Sequence, residues 1–351
     1  MVNLLNREEI GLDVKTINKK FKNKTILVTG GGGSIGSEII NQLLNLSIKK
    51  VIALGHGENS IFDLIQKYKS NNKFDYVIGD IRDQIKIEHE FKKNKPSIIF
   101  HTAAHKHVFL MEKYPDEAIK NNIIGTYNCA ISAINSKVKN FIFISTDKAV
   151  EPESIMGITK KHAEKIINSL NQLQTQTTFS IVRFGNILGS RGSVIPIFKK
   201  QIKLGGPITI TDPQVTRFFM SIKEAAHLVI KSAYLNTNKT FILDMGKPIK
   251  IIQLAKKLIH SSKNNSIKII TTGLTKGEKI KEKLLNNQET KKETIFNKLY
   301  EVNCSNPDTY KSITELDKFI KNIKNTANTF DNKKIKKELI ASFDATSRHC
   351  R

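Results

Sequence analysis

The sequence predicts an α/β fold in which helices cover both faces of a doubly wound parallel sheet, with a smaller C-terminal lobe interleaved with that sheet. Short, almost continuously apolar segments alternate with amphipathic segments through the first half of the chain. This alternation is typical of parallel sheets that are buried on both faces. After about Gly185 the pattern becomes less regular and is punctuated by glycine and proline, which indicates a separate lobe.

The apolar segments of the first half predict six strands, at 25–29, 50–54, 74–78, 97–101, 140–145 and 179–183. Helical periodicity fits the segments between the first five of them, at 34–45, 60–70, 84–93 and 112–135. In the second half we expect helices at 222–235, 250–261, 307–324 and 332–342, with strands near 240–244 and 267–271. Pro307 supports the third of these helices, because proline is favoured in the first turn of a helix.

These elements divide the chain into four parts. Residues 1–23 form a lead segment, and residues 24–185 form a nucleotide-binding domain. Residues 186–303 form the substrate-binding lobe, and residues 304–351 form a helical, Lys-rich tail.

The composition is that of a globular protein, with 39% hydrophobic and 25% charged residues among 351. No apolar run approaches the ~18 residues that a membrane span needs, and the first residues lack a signal-peptide core. We therefore expect a cytoplasmic protein without a transmembrane segment. The cysteines Cys129, Cys304 and Cys350 are scattered and odd in number, which fits neither a disulfide framework nor a metal site.

The formal charge of +25 raises the question of nucleic-acid binding. Lysines are spread along the chain rather than clustered, as a general compositional bias would produce. We therefore expect no nucleic-acid partner and note that a positive field favours an anionic substrate.

A glycine-rich turn lies between the first strand and its helix, in the order Gly-x-x-Gly-x-x-Gly at Gly30, Gly33 and Gly36. The first glycine permits the tight turn, the second lets the backbone approach a pyrophosphate, and the third lets the helix pack on the strand. The helix N-terminus adds oriented N–H groups. The motif predicts a Rossmann-like NAD(P) site, whose further expected contacts are Ser34, Ile35, Ile81 and Ala103.

The end of the second strand favours NADP over NAD. Sites that prefer NAD usually have an acidic residue there to bind the ribose 2′-hydroxyl, whereas this chain has Gly55 followed by His56. His56 could lie near a 2′-phosphate, although Glu58 leaves NAD open. Asp80, after the third strand, either reaches the adenine or caps a helix.

The residues after the fifth strand carry the predicted chemistry. They read Thr146-Asp147-Lys148, and the following helix has Met156 and Lys160. Many nicotinamide enzymes that act on sugars or alcohols have Tyr-x-x-x-Lys on that helix, and here Met156 occupies the tyrosine position. A thioether neither donates nor accepts a proton, so the acid–base work falls on Thr146, Asp147 and Lys148.

The chain resembles the bacterial UDP-N-acetylglucosamine 4,6-dehydratases and capsular polysaccharide biosynthesis proteins of the extended short-chain dehydrogenase/reductase superfamily. The resemblance covers about residues 3–340, through the segments 29–38, 101–108, 121–126, 145–160, 183–196, 205–207, 216–220 and 272–279. Met156 is shared with the configuration-retaining branch. Many relatives have a membrane-spanning N-terminal region, and Leu4–Arg7 resembles the segment that follows it. The resemblance therefore implies a catalytic module without that region, which forms a homo-oligomer.

By this resemblance, the enzyme dehydrates a sugar attached to UDP and recycles its bound cofactor. Lys148 is the base at C5, Asp147 is the acid at C6, Thr146 binds the C4 hydroxyl, and Lys160 binds the nicotinamide ribose. Free lysine and aspartate have the wrong protonation states for these roles at neutral pH. Desolvation would lower the lysine pKa and raise the aspartate pKa, whereas their mutual attraction would do the reverse.

Six residues are candidates for binding the substrate. Arg217 suits a diphosphate because its guanidinium is planar, and the other five are Lys106, His107, Asn186, Ser193 and Glu278. Arg191 is an adjacent candidate. The alternatives to a retaining dehydratase are a nucleotide-sugar epimerase, a C5-inverting dehydratase, a dead enzyme that has lost its tyrosine, and a non-catalytic nucleotide- or RNA-binding module.

Overall fold

The computed structural model describes residues 11, 13–262, 264, 266–305 and 307–347. Cys350 and Leu4–Arg7 lie outside these residues. Among the residues described, no helix combines the length and the apolar character that crossing a bilayer would require.

The strands are β1 (Thr25–Thr29), β2 (Lys50–Gly55), β3 (Phe74–Ile78), β4 (Ile98–His101), β5 (Asn140–Ile144), β6 (Thr178–Arg183), β7 (Asn186–Ile187), β8 (Ile208–Ile210), β9 (Thr216–Arg217), β10 (Phe219–Met220), β11 (Thr240–Leu243), β12 (Ile249–Lys250), β13 (Ile269–Thr271), β14 (Glu289–Glu293) and β15 (Leu299–Cys304). The α-helices are α1 (Val14–Phe21), α2 (Ser34–Leu43), α3 (Glu58–Tyr68), α4 (Gln84–Asn94), α5 (Val108–Lys113), α6 (Pro115–Ala118), α7 (Gly125–Asn135), α8 (Ile155–Leu173), α9 (Val194–Lys203), α10 (Ile222–Leu235), α11 (Ile251–Ser261), α12 (Ile313–Ala327) and α13 (Asn332–Ser347).

The described residues form one nine-stranded sheet in the order β14-β15-β11-β6-β5-β4-β1-β2-β3. The strands from β3 to β11 pair in parallel, and β15 and β14 add an antiparallel edge. The order β3-β2-β1-β4-β5-β6 is that of the Rossmann fold. The predicted fold class is therefore confirmed.

Alternate residues of each strand pack against helices on opposite faces. In β1, Leu27 belongs to the core under α4, α7, α8, α12 and α13, whereas Ile26 and Val28 belong to the core under α1, α2, α3 and α10. A third apolar cluster includes Phe198, Ile208 and Leu254 and lies in the segment after residue 186. This segment also supplies β11, β14 and β15 to the main sheet.

The expected single helix over 112–135 is wrong. Tyr114 has φ −125° and ψ 69° and ends α5, because the ring of Pro115 disfavours a helical conformation at the preceding residue. The chain resumes in α6 and then forms a π-helix over Ile119–Ile124 before α7. The wider π turn carries Asn122, whose side chain bonds both the N–H and the carbonyl of His105.

The expectation that Pro307 lies early in a helix is also wrong. Helix α12 begins at Ile313, after Ser312, whose hydroxyl accepts the Glu315 N–H. The β14–β15 hairpin had no sequence prediction. Strand β14 reads Glu-Thr-Lys-Lys-Glu and is mostly exposed. Charged residues suit an edge strand, because they disfavour pairing with a further strand. They also lack the apolar pattern from which a strand is predicted.

A buried arginine joins this hairpin to the centre of the sheet. Arg183, at the end of β6, donates two hydrogen bonds of 2.7 Å to Glu164 on α8 and two of 2.9 Å to Glu289 on β14. Glu164 also accepts the Ser145 hydroxyl at 2.6 Å. Burial alone would raise the pKa of Glu164, but the charge and hydrogen bonds of Arg183 lower it. The guanidinium thus bonds both oxygens of each carboxylate.

We expect Arg183→Met to lower the free energy of unfolding by about 3–5 kcal/mol, because it leaves two buried carboxylates without their counter-ion. Urea denaturation followed by circular dichroism measures this change. Lys50→Met is the matched control, since Lys50 forms an exposed pair with Asp75 and such pairs contribute about 0–1 kcal/mol. Equal losses in the two variants would contradict the structural role of Arg183.

Candidate active site

A cavity of about 240 Å³ lies at the carboxyl ends of the central strands. Its walls come from the glycine turn, the end of β2 and the segments that follow β3 and β4. Among the predicted cofactor residues, those that line it are Gly30, Gly33, His56, Ile81 and Ala103. Ligands of open parallel sheets bind at this edge, where the strand order reverses.

The glycine turn has no room for side chains. Gly30 has φ +65°, and a Cβ there would lie 2.7 Å from the backbone nitrogen of Ala103. A Cβ at Gly36 would press on the Gly30 carbonyl oxygen. Helix α2 starts at Ser34 with no side-chain cap on its N-terminus, and Ile35 packs partly buried behind it. The bare turn and helix end fit a dinucleotide pyrophosphate.

Asp80 does not line this cavity. Its carboxylate accepts the backbone N–H of Arg82 at 2.9 Å and the guanidinium at 2.6–3.1 Å. Burial opposes ionisation, but these bonds lower the Asp80 pKa below its ordinary value. The helix-cap interpretation of Asp80 is wrong, because α4 is capped by Asp83. In this structure, the Asp80 carboxylate stabilises the backbone turn at Arg82 that follows β3.

The Thr-Asp-Lys segment leaves the end of β5 as a 3-10 turn over Asp147–Ala149. The Thr146 hydroxyl donates to Asp147 Oδ1 at 2.9 Å, and Lys148 Nζ donates to the same oxygen at 3.0 Å. Asp147 Oδ2 is buried and has no hydrogen-bond partner among the described residues. A Cβ at Gly185 would lie 3.0 Å from Asp147 Oδ2, so a side chain at position 185 would crowd this oxygen.

A second carboxylate faces Lys148 from the lobe. Glu282 Oε1 lies 3.3 Å from Lys148 Nζ, and the buried Oε2 has no hydrogen-bond partner in the part of the chain described. Asn186 Oδ1 also lies 3.3 Å from Lys148 Nζ. Lys148 thus joins Asp147 of the sheet to Glu282 of the lobe. We name these three residues the acid–base cluster.

Electrostatics within the acid–base cluster favour a charged lysine. Burial alone would lower the pKa of Lys148, but attraction to Asp147 and Glu282 outweighs burial and raises it. Of the two opposed effects considered from the sequence, mutual attraction prevails for Lys148. Any role for Lys148 as a base therefore requires one carboxylate to lose its charge first.

Helix α8 backs the cluster. Gly157 allows close packing, because a Cβ there would press on the Lys148 carbonyl oxygen. Met156 is buried in the main core, and Lys160 one turn later donates to the Ile144 carbonyl at 2.6 Å and lies 3.9 Å from the centre of the Phe143 ring. Burial lowers the pKa of Lys160 to about 7. The Lys160 side chain thus contacts the end of β5.

The structure places the candidate substrate residues in separate contacts. Arg217 Nη2 bonds Glu278 Oε1 at 3.2 Å, and the Ser193 hydroxyl is buried without a hydrogen-bond partner among the described residues. Lys106 Nζ instead donates to the Arg191 carbonyl at 2.6 Å. The His107 ring packs on Gly192, where a Cβ would lie 2.6 Å from its Cε1. Lys106 and His107 therefore support the 188–193 loop in this structure.

Sequence reasoning missed Glu282, and it associated Arg191 with the substrate rather than the cofactor cavity. Glu282 lies in a Lys-rich stretch, Lys-Ile-Lys-Glu-Lys, with no local feature of a buried carboxylate. Arg191 lines the cofactor cavity, although 155 positions separate it from Gly36 in the numbering. Across the described residues, no three His, Cys, Asp or Glu side chains are grouped to hold a metal ion.

Comparison with known proteins identifies the family. The family model described as "Polysaccharide biosynthesis protein" matches residues 26–304. The chain belongs to this family. It is 49% identical over 304 residues to the capsular polysaccharide biosynthesis protein CapD of Staphylococcus aureus and 50% identical over 304 residues to the probable polysaccharide biosynthesis protein EpsC of Bacillus subtilis. Each match covers 85% of this chain and 51% of the relative, so the chain spans about half the length of these family members.

Among solved structures, Pen from Bacillus thuringiensis is similar to this family member, with a TM-score of 0.76 and 35% sequence identity. The match covers 81% of this chain and 90% of Pen. The recognition of the family from the sequence motifs is confirmed.

We expect Glu282→Gln to lower the pKa of Lys148, because it removes one of the two negative charges that raise it. Lys148 then becomes neutral at a lower pH. The rate of Lys148 acetylation, followed by peptide mass spectrometry across a pH series, should rise at lower pH than in the unaltered protein. Glu151→Gln is the control, since Glu151 pairs with the exposed Lys283 instead. An unchanged Lys148 profile in Glu282→Gln would contradict the coupling.

Proposed function

We propose that the chain is a nucleotide-sugar 4,6-dehydratase that uses NADP and acts on a UDP-N-acetylhexosamine, with UDP-N-acetylglucosamine as the leading substrate. The observation that carries the proposal is the acid–base cluster beside the glycine-turn cavity. Asp147 and Glu282 each have a buried oxygen without a hydrogen-bond partner among the described residues. Such atoms are costly to bury, and proton transfer within the cluster and to the substrate gives them a use.

The reaction needs a redox centre, an acid and a base. Bound NADP supplies the acceptor of the C4 hydride and the donor that returns hydride to C6. The Thr146 hydroxyl binds the C4 hydroxyl and relays its proton to Asp147, along the 2.9 Å hydrogen bond between them. Asp147 then holds the proton that the departing C6 hydroxyl needs to leave as water. The proton lost from the C4 hydroxyl thus leaves with the C6 oxygen.

Protonation of Asp147 also prepares the base. While Asp147 is charged, its attraction holds Lys148 protonated. Once Asp147 has accepted the C4 hydroxyl proton, that attraction ends and Lys148 passes its own proton to Glu282, 3.3 Å away. Neutral Lys148 takes the C5 proton, which the adjacent C4 ketone has made acidic, and later returns a proton to C5. Glu282 finally returns its proton to Lys148, and the cluster is restored.

The substrate nucleotide lies on the lobe side of the cluster in this proposal. Arg217 binds the diphosphate, with Glu278 orienting its guanidinium through the 3.2 Å ion pair. Asn186 and Ser193 contact the nucleotide, and Lys160 of α8 binds the nicotinamide ribose beside the end of β5. Met156 has no proton to transfer and fills the core below.

Dehydration is tested by NMR of the purified protein with UDP-N-acetylglucosamine in deuterated water. We expect loss of the C6 hydroxymethyl signal, a new methyl signal and deuterium at C5, because Lys148 exchanges its proton with solvent. The C5 configuration separates retention from inversion. A C4 epimer with an intact C6 hydroxyl would instead make the protein an epimerase, and inactivity across a panel of nucleotide sugars would favour a non-catalytic module.

We expect Lys148→Met to lower kcat by about 10²–10⁴-fold, the usual contribution of a general base, while Met156→Tyr keeps substantial dehydratase activity. Methyl formation by NMR measures both rates. Lys283→Met is the control, because Lys283 is exposed and pairs with Glu151. Loss of activity in Met156→Tyr together with full activity in Lys148→Met would refute the assignment.

A further inference from the structure

Arg191 reaches the cofactor cavity from the 188–193 loop, which connects β7 to α9. Its Nη1 donates to Ser60 Oγ at 3.0 Å, its Nη2 donates to the Gly32 carbonyl, and its backbone N–H donates to Ser34 Oγ at 3.0 Å. The guanidinium therefore lies between the glycine turn and the first turn of α3.

The charge of Arg191 is uncompensated. Within the described part of the chain, Arg82, Arg183 and Arg217 each form an ion pair with a carboxylate, whereas the side-chain hydrogen bonds of Arg191 go to neutral oxygens. Lys106 is a second cation at this point and also donates to neutral oxygens. Burial and the nearby Arg191 charge lower the pKa of Lys106. Two cations without a carboxylate favour an anion between or beside them.

The position of Arg191 indicates which anion this is. The N-terminus of α2 is the part of the turn that suits a pyrophosphate. Arg191 instead contacts Gly32 and Ser60, beside the end of β2, where Gly55 replaces the acidic residue that would bind a ribose 2′-hydroxyl. A group attached to the 2′-oxygen of the adenosine ribose would meet Arg191 at this place.

We propose that Arg191 selects NADP by binding its 2′-phosphate. The inference rests on the proposal that the glycine-turn cavity holds NADP. The guanidinium exchanges the Gly32 carbonyl and the Ser60 hydroxyl for phosphate oxygens, which its planar fork binds in pairs. Lys106 holds the Arg191 carbonyl and so fixes the start of the side chain. The arginine comes from the lobe, so selection of the cofactor depends on a residue far from the glycine motif in sequence.

The test compares 2′,5′-ADP with 5′-AMP, since the two probes differ in the 2′-phosphate alone and contain no nicotinamide. Both are titrated calorimetrically into the full chain after bound nucleotide has been removed on charcoal. We expect the unaltered protein to bind 2′,5′-ADP at least about tenfold more tightly, and Arg191→Gln to weaken 2′,5′-ADP by about 10- to 100-fold while leaving 5′-AMP nearly unchanged. Lys199→Gln, an equal charge change on the exposed part of α9, should alter neither affinity.

Three results would overturn the inference: a preference of the unaltered protein for 5′-AMP, an equal loss of both probes in Arg191→Gln, or no loss of either. An equal loss would assign Arg191 to the 5′-phosphate, which the two probes share. If Arg191→Gln is unstable in thermal denaturation, Arg191→Lys replaces it and should reduce the preference for 2′,5′-ADP, since a point charge lacks the paired geometry. Turnover is not a readout, so failure here leaves the dehydratase proposal standing, and an inactive enzyme leaves this one standing.

Discussion

Parallel pairing of the central strands is the constraint on which the candidate site depends. Thr29 of β1, His101 of β4 and Phe143 of β5 are register partners, so the segments that follow them leave the sheet along one edge. His101 is buried and tied to Thr29 at 2.7 Å and to Thr126 at 3.0 Å, which holds two strand ends together. The glycine turn and the Thr-Asp-Lys segment are neighbours for this reason, although more than 100 residues separate them.

Two buried groups of charged residues near this edge differ in how well their charges and hydrogen bonds are balanced. Around Arg183, the charges and hydrogen bonds are matched, and Glu164 and Glu289 are both satisfied. The acid–base cluster has one cation for two carboxylates, and each carboxylate has a buried oxygen without a hydrogen-bond partner in the described residues. A buried network whose polar groups are all hydrogen-bonded stabilises a fold, whereas buried ionisable groups without full pairing are typical of functional sites.

The 188–193 loop links the two halves of the site. Arg191 bonds the glycine turn, and Lys106 holds the Arg191 carbonyl. At the two ends of the loop, Asn186 lies beside Lys148 and Ser193 precedes α9. The loop therefore contacts the cofactor cavity and borders the acid–base cluster. A ligand in the cavity that contacts Arg191 would therefore contact the same loop that borders the acid–base cluster.

The amino-acid sequence by itself determined the parallel sheet, the glycine turn and the Thr-Asp-Lys segment, because apolar periodicity and turn residues act over a few neighbouring positions. The β14–β15 hairpin was not predicted, because the residues of β14 are polar and lack an apolar strand pattern. The break at Tyr114 was not predicted either, because the helical periodicity continues past Pro115. Tertiary structure alone decided that Glu282 faces Lys148 and that Arg191 enters the cofactor cavity. Both contacts join loops from distant parts of the chain, and their geometry depends on how the lobe packs on the sheet, which no local pattern records.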